Sequence, residues 1–332
     1  MSIIEEQPIG TSRRDLFALI GTGALLTAAT AARAQSGGSL SQKQLQAKLL
    51  RRISYGPTEA DMAAIASLGY DAYLEQQLNP TAIADVACDA LLTQFPSLKY
   101  GSRQLFMADN QTLRYEQTSA MLVRAIYSNR QLLERMVEFW TDHFNIYWPT
   151  VRTLKAAHDR DVIRANALGN FGDLLLANAR SGAMMKYLDN GSNRKAGPNE
   201  NYARELLELH TMGVNNGYTQ QDIIEIARCF TGWTVQLDPT ASNAGAFYYD
   251  SLRHDGGAKT VLGRRIKAGG GVNDGTTVIQ ILTGRKETAS YLSKKLCTFF
   301  LGHAPKALVD DLTRSFQSTG GEIKPLLRLI LK

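Results

Sequence analysis

Apolar residues recur every three or four positions through most of the chain, which places them on one face of an α-helix. A run from Met62 to Leu68 is a clear example, because it follows a helix-start signal at residues 56–59 and stops at Gly69. Alternation with a period of two, which a half-buried strand requires, is confined to one short segment. The sequence therefore predicts a mainly α fold.

The same periodicity predicts the individual helices. Two long ones are expected at Ser102–Ser128 and Arg130–Tyr147, with Pro149 ending the second. Shorter helices are expected at 155–167, 171–180, 199–212, 220–230, 276–283, 287–301 and 307–318.

One segment, at about 239–275, breaks the helical pattern and is rich in Gly, Asn and Asp. Apolar triplets at 247–249 and 260–262 flank Gly256 and Gly257, which predicts a small β-hairpin. No repeat of fixed period and no linker rich in Pro or Ser interrupts the chain. We therefore expect a single multi-helix domain, residues 35–332, with one irregular insertion that carries the hairpin.

The last segment is an apolar helix that begins at Pro325 and reaches Lys332 without a capping residue. A strongly apolar stripe needs a partner that covers it. From the sequence alone we expect the domain to be truncated at its C-terminus.

Residues 1–34 have the layout of an export signal. Adjacent Arg13 and Arg14 precede an apolar stretch of 17 residues, 16–32, and a small-residue exit ends at Ala34. The paired arginines indicate the twin-arginine type of signal, and hence a periplasmic or otherwise exported protein. The apolar stretch is shorter than the ~20 residues that a membrane span needs. No later stretch is longer, so we expect no stable membrane span after cleavage.

Charge and cysteine content exclude several classes of protein. The net charge is +6, but the basic residues form short doublets among acids, and no nucleic-acid-binding motif accompanies them. We therefore expect no nucleic-acid partner. The 44% of hydrophobic residues excludes general disorder, and three widely spaced cysteines exclude a disulfide framework.

Polar and titratable residues are concentrated in residues 187–233. The pattern there predicts two helices, 199–212 and 220–230, joined by a tight turn. Thr219 and Asp222 have the spacing of a capping box at the start of the second helix. So many polar groups close to apolar helices need partners, and a shared ion or polar ligand would satisfy several of them at once.

The side chains of this unit fall on two kinds of helix face. Glu200, Arg204 and Glu208 are four residues apart and form a ladder of alternating charge. His210, like the distant His143, lies instead on an apolar stripe. A solvated ladder contributes only a few tenths of a kcal/mol per pair, and a lone histidine on such a stripe is typical of a hydrogen-bonded core residue. Structural and functional interpretations therefore both remain open.

Known catalytic motifs are absent, including H-E-x-x-H, G-x-S-x-G and a complete phosphate loop. His158 and Asp161 form the only three-residue spacing suited to a metal, and a surface pairing explains that spacing as well. A metal site would have to be assembled between helices, with His254 and Asp255 contributing from the insertion.

Several segments resemble the large bacterial family called domain of unknown function 1800. The segments are LLRRISYGPTEADMAAIASLG (49–69), LLERMVEFWTDHFNIYW (132–148), NENYARELLELHTMG (199–213), TQQDIIEIARCFTGWTV (219–235), HDGGAKTVLG (254–263) and ASYLSKKLCTFFLG (289–302). The resemblance implies a mostly helical, exported bacterial protein, and it brings no established reaction. Where members often carry His-Pro before the late helix, this chain has Arg285 and Lys286. Family chains are also usually longer.

By position, the resemblance singles out residues to which we assign three roles. The expected catalytic residues are Glu205, Glu208, His210 and His143. The residues expected to bind a cofactor or polar ligand are Asn199, Glu200, Asn201, Arg204 and Trp233. The expected metal ligands are His143, His210, His254 and Asp255.

Two functions fit these residues. The first is a metal-assisted periplasmic hydrolase, in which carboxylates ligate a divalent ion or act as a base and a histidine transfers protons. The second is a non-catalytic helical binding or assembly module, in which the polar residues form a buried hydrogen-bond network. Such a module would act with another exported protein. The direction in which the carboxylates point discriminates between them.

Overall fold

Helices account for most of residues 40–332, the part of the chain that the computed structural model describes. The α-helices are α1 Gln42–Ile53, α2 Glu59–Leu68, α3 Tyr70–Leu78, α4 Val86–Leu92, α5 Ser102–Met107, α6 Asn110–Tyr127, α7 Gln131–His143, α8 Trp148–Val151, α9 Leu154–Ala157, α10 Phe171–Ala179, α11 Gly182–Tyr187, α12 Asn201–Glu205, α13 Gln220–Cys229, α14 Asn273–Thr283, α15 Lys286–Leu301, α16 Lys306–Thr319 and α17 Ile323–Leu331. Short 3₁₀ turns lie at Pro80–Ala82, Pro96–Lys99 and Asn190–Ser192. The prediction of a mainly α fold is confirmed.

Local capping signals account for several helix boundaries. Thr58 and Asp61 form a capping box at the start of α2, and Gly69 follows its last residue with a φ of 84°. Thr219 and Asp222 form the second box, at the start of α13. These boundaries were predicted correctly because each depends on side chains only three residues apart.

The predicted helix Ser102–Ser128 is in fact two helices, α5 and α6. The carboxylate of Asp109 accepts the amide hydrogen of Thr112 at 2.8 Å, which caps a new helix after Ala108. This cap takes the place of continued helical hydrogen bonding.

The predicted helix Arg130–Tyr147 was also too long. It ends as α7 at His143, and Pro149 lies within the first turn of the short helix α8. Proline is tolerated there because first-turn amides have no partner within the helix. Pro149 therefore belongs to a helix start and does not end the preceding helix.

Two segments are π-helical, His158–Arg164 after α9 and Leu206–Thr211 after α12. In the second, the hydroxyl of Thr211 donates to the carbonyl of Leu206 at 2.6 Å. Sequence periodicity predicted ordinary α-helix at both places. π-Helical turns are rare and occur frequently at functional sites.

Four strands form two antiparallel hairpins, and the single predicted hairpin was wrong in its pairing. Strand β1 (Trp233–Val235) pairs with β2 (Phe247–Tyr249), and β3 (Lys259–Val261) pairs with β4 (Arg264–Ile266). Leu262 and Gly263 turn the second hairpin with φ values of 51° and 77°. A two-residue turn with both φ positive suits the twist of adjacent strands, but leucine is not a usual turn signal.

Residues 43–332 share one large hydrophobic core. Trp140 is fully buried in it, and its indole nitrogen donates to the carbonyl of Ala167 at 2.9 Å. The apolar stripe of α17 is buried as well, since this helix packs against α15 and α16.

The predicted export signal, residues 1–34, lies outside the described residues. Within 40–332, none of the helices combines the length and the hydrophobicity that crossing a membrane demands.

Gly275 provides a test of core packing. A β-carbon there would lie 2.5 Å from a ring carbon of Trp233 and 3.0 Å from Phe230. We expect Gly275→Ala to lower the free energy of unfolding by about 1–3 kcal/mol, even though alanine favours helix, because the overpacked rings must move. Urea denaturation measures the change. The matched control is Gly256→Ala, where no atom lies within 4 Å. An equal effect at the two positions would contradict this packing.

Candidate functional site

His143, at the end of α7, lies among helices that are distant in sequence. Its Nε2 is 3.1 Å from the carbonyl oxygen of His210, and its Nδ1 is 2.9 Å from Nζ of Lys295 on α15. A carbonyl oxygen can only accept, so Nε2 carries the hydrogen and Nδ1 accepts from the ammonium. Both ring nitrogens of His143 are therefore occupied, and the imidazole is neutral.

The two histidines face each other with ring centroids 6.3 Å apart, and each is only 4% exposed. Burial, followed by the nearby charge of Lys295, holds the pKa of His143 well below its usual range. The same two causes lower the pKa of His210 to about 3. Neutral imidazoles that resist protonation at pH 7 are suited to core packing and hydrogen bonding.

A third histidine, His158, belongs to the same region and was not predicted as a site residue. Its Nδ1 lies 2.9 Å from the hydroxyl of Ser181, and burial lowers its pKa well below the usual range, with Lys155 and His210 contributing. The surface pairing considered for His158 is wrong, because the π-helical segment turns it inward while Asp161 pairs with Arg160. Only the helical position of His158 on an apolar stretch could have signalled this.

Two fully buried nitrogens of this histidine cluster have no hydrogen-bond partner within residues 40–332. They are Nε2 of His158 and Nδ1 of His210. Unpartnered buried nitrogens carry a desolvation cost, and buried water commonly satisfies such groups.

His254 lies in a second cluster. Its Nε2 is 3.3 Å from the carboxylate of Asp274, and its Nδ1 is 2.8 Å from the carbonyl of Thr231. The ammonium of Lys259, whose side chain is fully buried, contacts the same carboxylate oxygen of Asp274 at 2.6 Å. This cluster connects the insertion to the start of α14.

Asp255 is engaged by α13. Arg228 donates from Nε to Asp255 at 2.7 Å, and this hydrogen bond holds the pKa of the carboxyl below its usual range. Two more carboxylates of α13 accept backbone amides of the β3–β4 hairpin, Glu225 from Thr260 at 2.9 Å and Asp222 from Leu262 at 2.7 Å. The His-Asp element therefore positions the insertion against α13.

The asparagines of the 188–201 loop form a network with the backbone. Asn193 donates to the carbonyl of Ala227 at 2.8 Å and accepts the amide of Asn199 at 2.9 Å. Asn201 donates to the carbonyl of Leu188 at 3.2 Å. The side chain of Asn199 accepts the amide of Asn201 at 2.9 Å, so the side chains of Asn199 and Asn201 both shape this loop.

The charged ladder connects α12 to α13. Arg204 lies 3.1 Å from Glu200 and 3.8 Å from Glu208, and Gln220 donates to Glu200 at 2.6 Å. Burial, followed by the charge of Glu208, raises the pKa of Glu205. Within the described part of the chain, no hydrogen bond or ion pair joins Glu205 or Glu208 to a histidine.

Trp233 is fully buried in an aromatic cluster. Its ring centroid lies 5.0 Å from those of Phe230 and Phe247, and the guanidinium carbon of Arg180 lies 5.5 Å from the centroid of the Trp233 ring. These contacts give Trp233 a packing role.

The structure separates the residues that we expected to share one site. His143 and His210 are brought together, His254 is held by Asp274, and Asp255 is held by Arg228. Among residues 40–332, no three or more His, Cys, Asp or Glu side chains are grouped so that they could hold a metal ion. The four expected metal ligands are therefore not assembled.

A cavity of about 340 Å³ lies elsewhere, between α6, α7 and the first π-helical segment. None of the expected site residues lines it. Its charged lining residues are Arg124, Lys155, Asp159, Arg160 and Arg164. Three of the four cations lie within ten residues of one another in the sequence. They are separated there by apolar and acidic residues, so they form no recognisable motif.

This fold and its buried histidines define a mainly helical protein with a polar core network and a separate basic cavity. The chain belongs to the family described as protein of unknown function, DUF1800, whose model matches residues 48–332. It matches no curated protein and no solved structure.

The buried histidines predict a loss of stability in acid. The folded-state pKa values of His143, His158 and His210 lie below the ordinary value of 6.5, so the unfolded chain binds more protons as the pH falls through 6.5. Each should contribute up to about 1.4 kcal/mol of lost stability per pH unit below that point. Urea denaturation between pH 7 and pH 4.5 measures the slope.

His210→Gln tests this prediction, and His303→Gln is the control because His303 is exposed. We expect the first to have a shallower pH dependence and the second to retain the dependence of the unaltered protein. Identical slopes in all three proteins would contradict the buried, neutral state of His210.

The Lys259–Asp274 pair predicts a large stability effect. Lys259→Met should lower the free energy of unfolding by about 3–5 kcal/mol, because it leaves the Asp274 carboxylate buried beside His254 alone. Adding Asp274→Leu should restore much of the loss. As a control, Lys306→Met removes a pair with Asp310 that is exposed, and it should have little effect on urea denaturation. A small effect of Lys259→Met on the free energy of unfolding would show that the fold does not depend on this pair.

Proposed function

We propose that this protein is a non-catalytic helical binding module that acts with another exported protein. One observation carries the proposal. Of the residues expected to perform catalysis, His143 is engaged by the carbonyl of His210 and by Lys295, and Glu208 lies beside Arg204. His210 is only 4% exposed, and its ring has no hydrogen-bond partner within residues 40–332. These residues and Glu205 do not line a common cavity. Their chemistry is that of a buried network that holds helices and loops in register.

The hydrolase alternative has less support. A catalytic metal centre needs convergent ligands with one position open, and His143, His210, His254 and Asp255 do not converge. A general base must reach its proton, but both nitrogens of His143 are occupied. Glu205 and Glu208 lie beside Arg204.

A candidate binding surface lies on α6, and we call it the α6 face. Its members are large apolar side chains that are more than half exposed: Tyr115, Met121, Leu122, Ile126 and Tyr127. Tyr115, Leu122 and Ile126 are spaced by seven and four residues, so they lie on the same side of the helix. Several large apolar side chains exposed on one helix are typical of protein–protein contact.

The charges beside the α6 face indicate the chemistry of the partner. Arg114 is exposed on this helix, while the acidic Glu116 accepts the backbone amide of Ser97 at 2.9 Å. Positive charge is therefore the charge left to complement a partner. We assign the α6 face to an exported protein that presents an apolar segment with acidic side chains.

Export of both proteins is part of this proposal. It is supported by the sequence, in which Arg13 and Arg14 precede the apolar stretch 16–32. A partner of the proposed kind would need to be in the same compartment.

Photo-crosslinking in the producing bacterium tests the proposal. A benzoylphenylalanine placed at position 122 should capture an exported protein through an apolar, acidic segment. The same group placed at position 252, which is 82% exposed but outside the α6 face, should not capture that protein. With the captured protein purified, Leu122→Glu should weaken binding at least about tenfold because it introduces repulsion and desolvation, while Leu252→Glu should not.

Two results would contradict the proposal. One is an adduct at position 122 with a second copy of this chain, which would make the α6 face a self-association surface. The other is the same set of adducts at positions 122 and 252.

A further inference from the structure

The basic cavity between α6, α7 and the first π-helical segment combines charge with an apolar wall. Its volume of about 340 Å³ lies at the lower end of the range for small-molecule sites, about 300–1,000 Å³. The cavity is defined by side chains of the described residues alone, and its existence does not depend on the partner proposed above.

Three of its four cations already have carboxylate partners. Lys155 contacts Asp159 at 2.5 Å, and Arg160 contacts Asp161 at 2.6 Å. Arg164 forms two hydrogen bonds with Glu134 of α7, at 2.7 Å and 2.5 Å. These pairs fix the π-helical segment against its neighbours, and they leave little positive charge uncompensated.

Arg124 differs from the other three. Within residues 40–332, the guanidinium of Arg124 makes no hydrogen bond. No carboxylate oxygen lies within 4.0 Å of its nitrogens, the distance limit for an ion pair. The group is half-buried. Burial, followed by the charge of the neighbouring Arg164, lowers the pKa of Arg124 to about 10, and the charges of Glu134 and Asp89 oppose part of this shift. A partly desolvated cation next to a second cation is unfavourable unless an anion accompanies it.

The rest of the lining indicates the body of the ligand. Apolar walls are provided by Leu98, Met121, Val137 and Trp148, and neutral polar groups by Gln117, Thr118 and Thr141. A site for an inorganic anion would not need so much apolar surface. A guanidinium pairs with carboxylate or phosphate oxygens through two parallel hydrogen bonds.

We propose that this cavity binds a small organic anion. The carboxylate or phosphate head of the ligand pairs with the guanidinium of Arg124, and its apolar body lies against Met121, Val137 and Trp148. The anion supplies the carboxylate or phosphate partner that Arg124 lacks.

Calorimetric titration of the purified exported protein tests this assignment with three probes that share a six-carbon body. Hexanoate and hexyl phosphate carry the two candidate heads, and hexanamide is the uncharged control. We expect at least one of the anions to bind at one site and hexanamide to bind at least about tenfold more weakly. Preference between the anions identifies the head group. Equal binding of hexanamide, or no binding of either anion, would overturn the proposal.

Variants of α6 connect any binding to Arg124. Arg124→Gln should weaken binding of the preferred anion at least about tenfold, and Arg124→Lys should retain part of it, because lysine keeps the charge without the two-pronged geometry. Arg51→Gln, an exposed arginine of α1 that lies outside the cavity, should bind as the unaltered protein does. Unchanged binding by Arg124→Gln would overturn the proposal.

Thermal melting of each variant separates loss of the ligand contact from loss of the fold. Arg124 has no carboxylate partner, so Arg124→Gln should melt close to the unaltered protein. If Arg124→Gln does not fold, the salt dependence of anion binding to the unaltered protein tests the ionic contact instead. Binding of the anion that weakens with rising sodium chloride supports an ionic contact, and binding independent of salt overturns it.

Discussion

The imidazole of His143 connects three parts of the chain that are far apart in sequence. It lies at the end of α7, donates to the second π-helical segment through the carbonyl of His210, and accepts from Lys295 of α15. The arrangement requires a neutral ring with one defined tautomer, and burial favours that state. A histidine that resembles a catalytic group in the sequence thus serves here as a connection between helices.

The same requirement explains why the polar residues of 187–274 are so numerous. Several loops in this part of the chain pass close to the core, where an amide or carboxylate must have a partner. Asn193 supplies one for the backbone of α13, Glu225 for the β3–β4 hairpin, and Asp274 for Lys259. These groups satisfy one another, so the functional surfaces that we propose, the α6 face and the basic cavity, lie on other helices.

Sequence reasoning was most accurate where structure is local. It predicted the mainly α fold, the helix start at residues 56–59, the capping box at Thr219, and the bounds of the late helices to within a few residues. It missed the break at Asp109, the π-helical turns and the pairing of the hairpins. It predicted correctly that His143 and His210 lie close together. It also placed His254 with them, but His254 pairs with Asp274 instead.

By itself, the sequence determined the helices, their caps and their apolar faces, because those features arise from residues within one or two turns of each other. Only the tertiary structure decided which buried polar groups are partners. It also decided that Arg124, among the four cations of the basic cavity, has no carboxylate partner within residues 40–332. The groups that contact one another are far apart in the sequence, as His143 and Lys295 are with a separation of 152 residues. No periodicity or spacing along the sequence encodes such a contact. It depends on how helices pack, and on the cost of leaving a buried charge or hydrogen-bonding group without a partner.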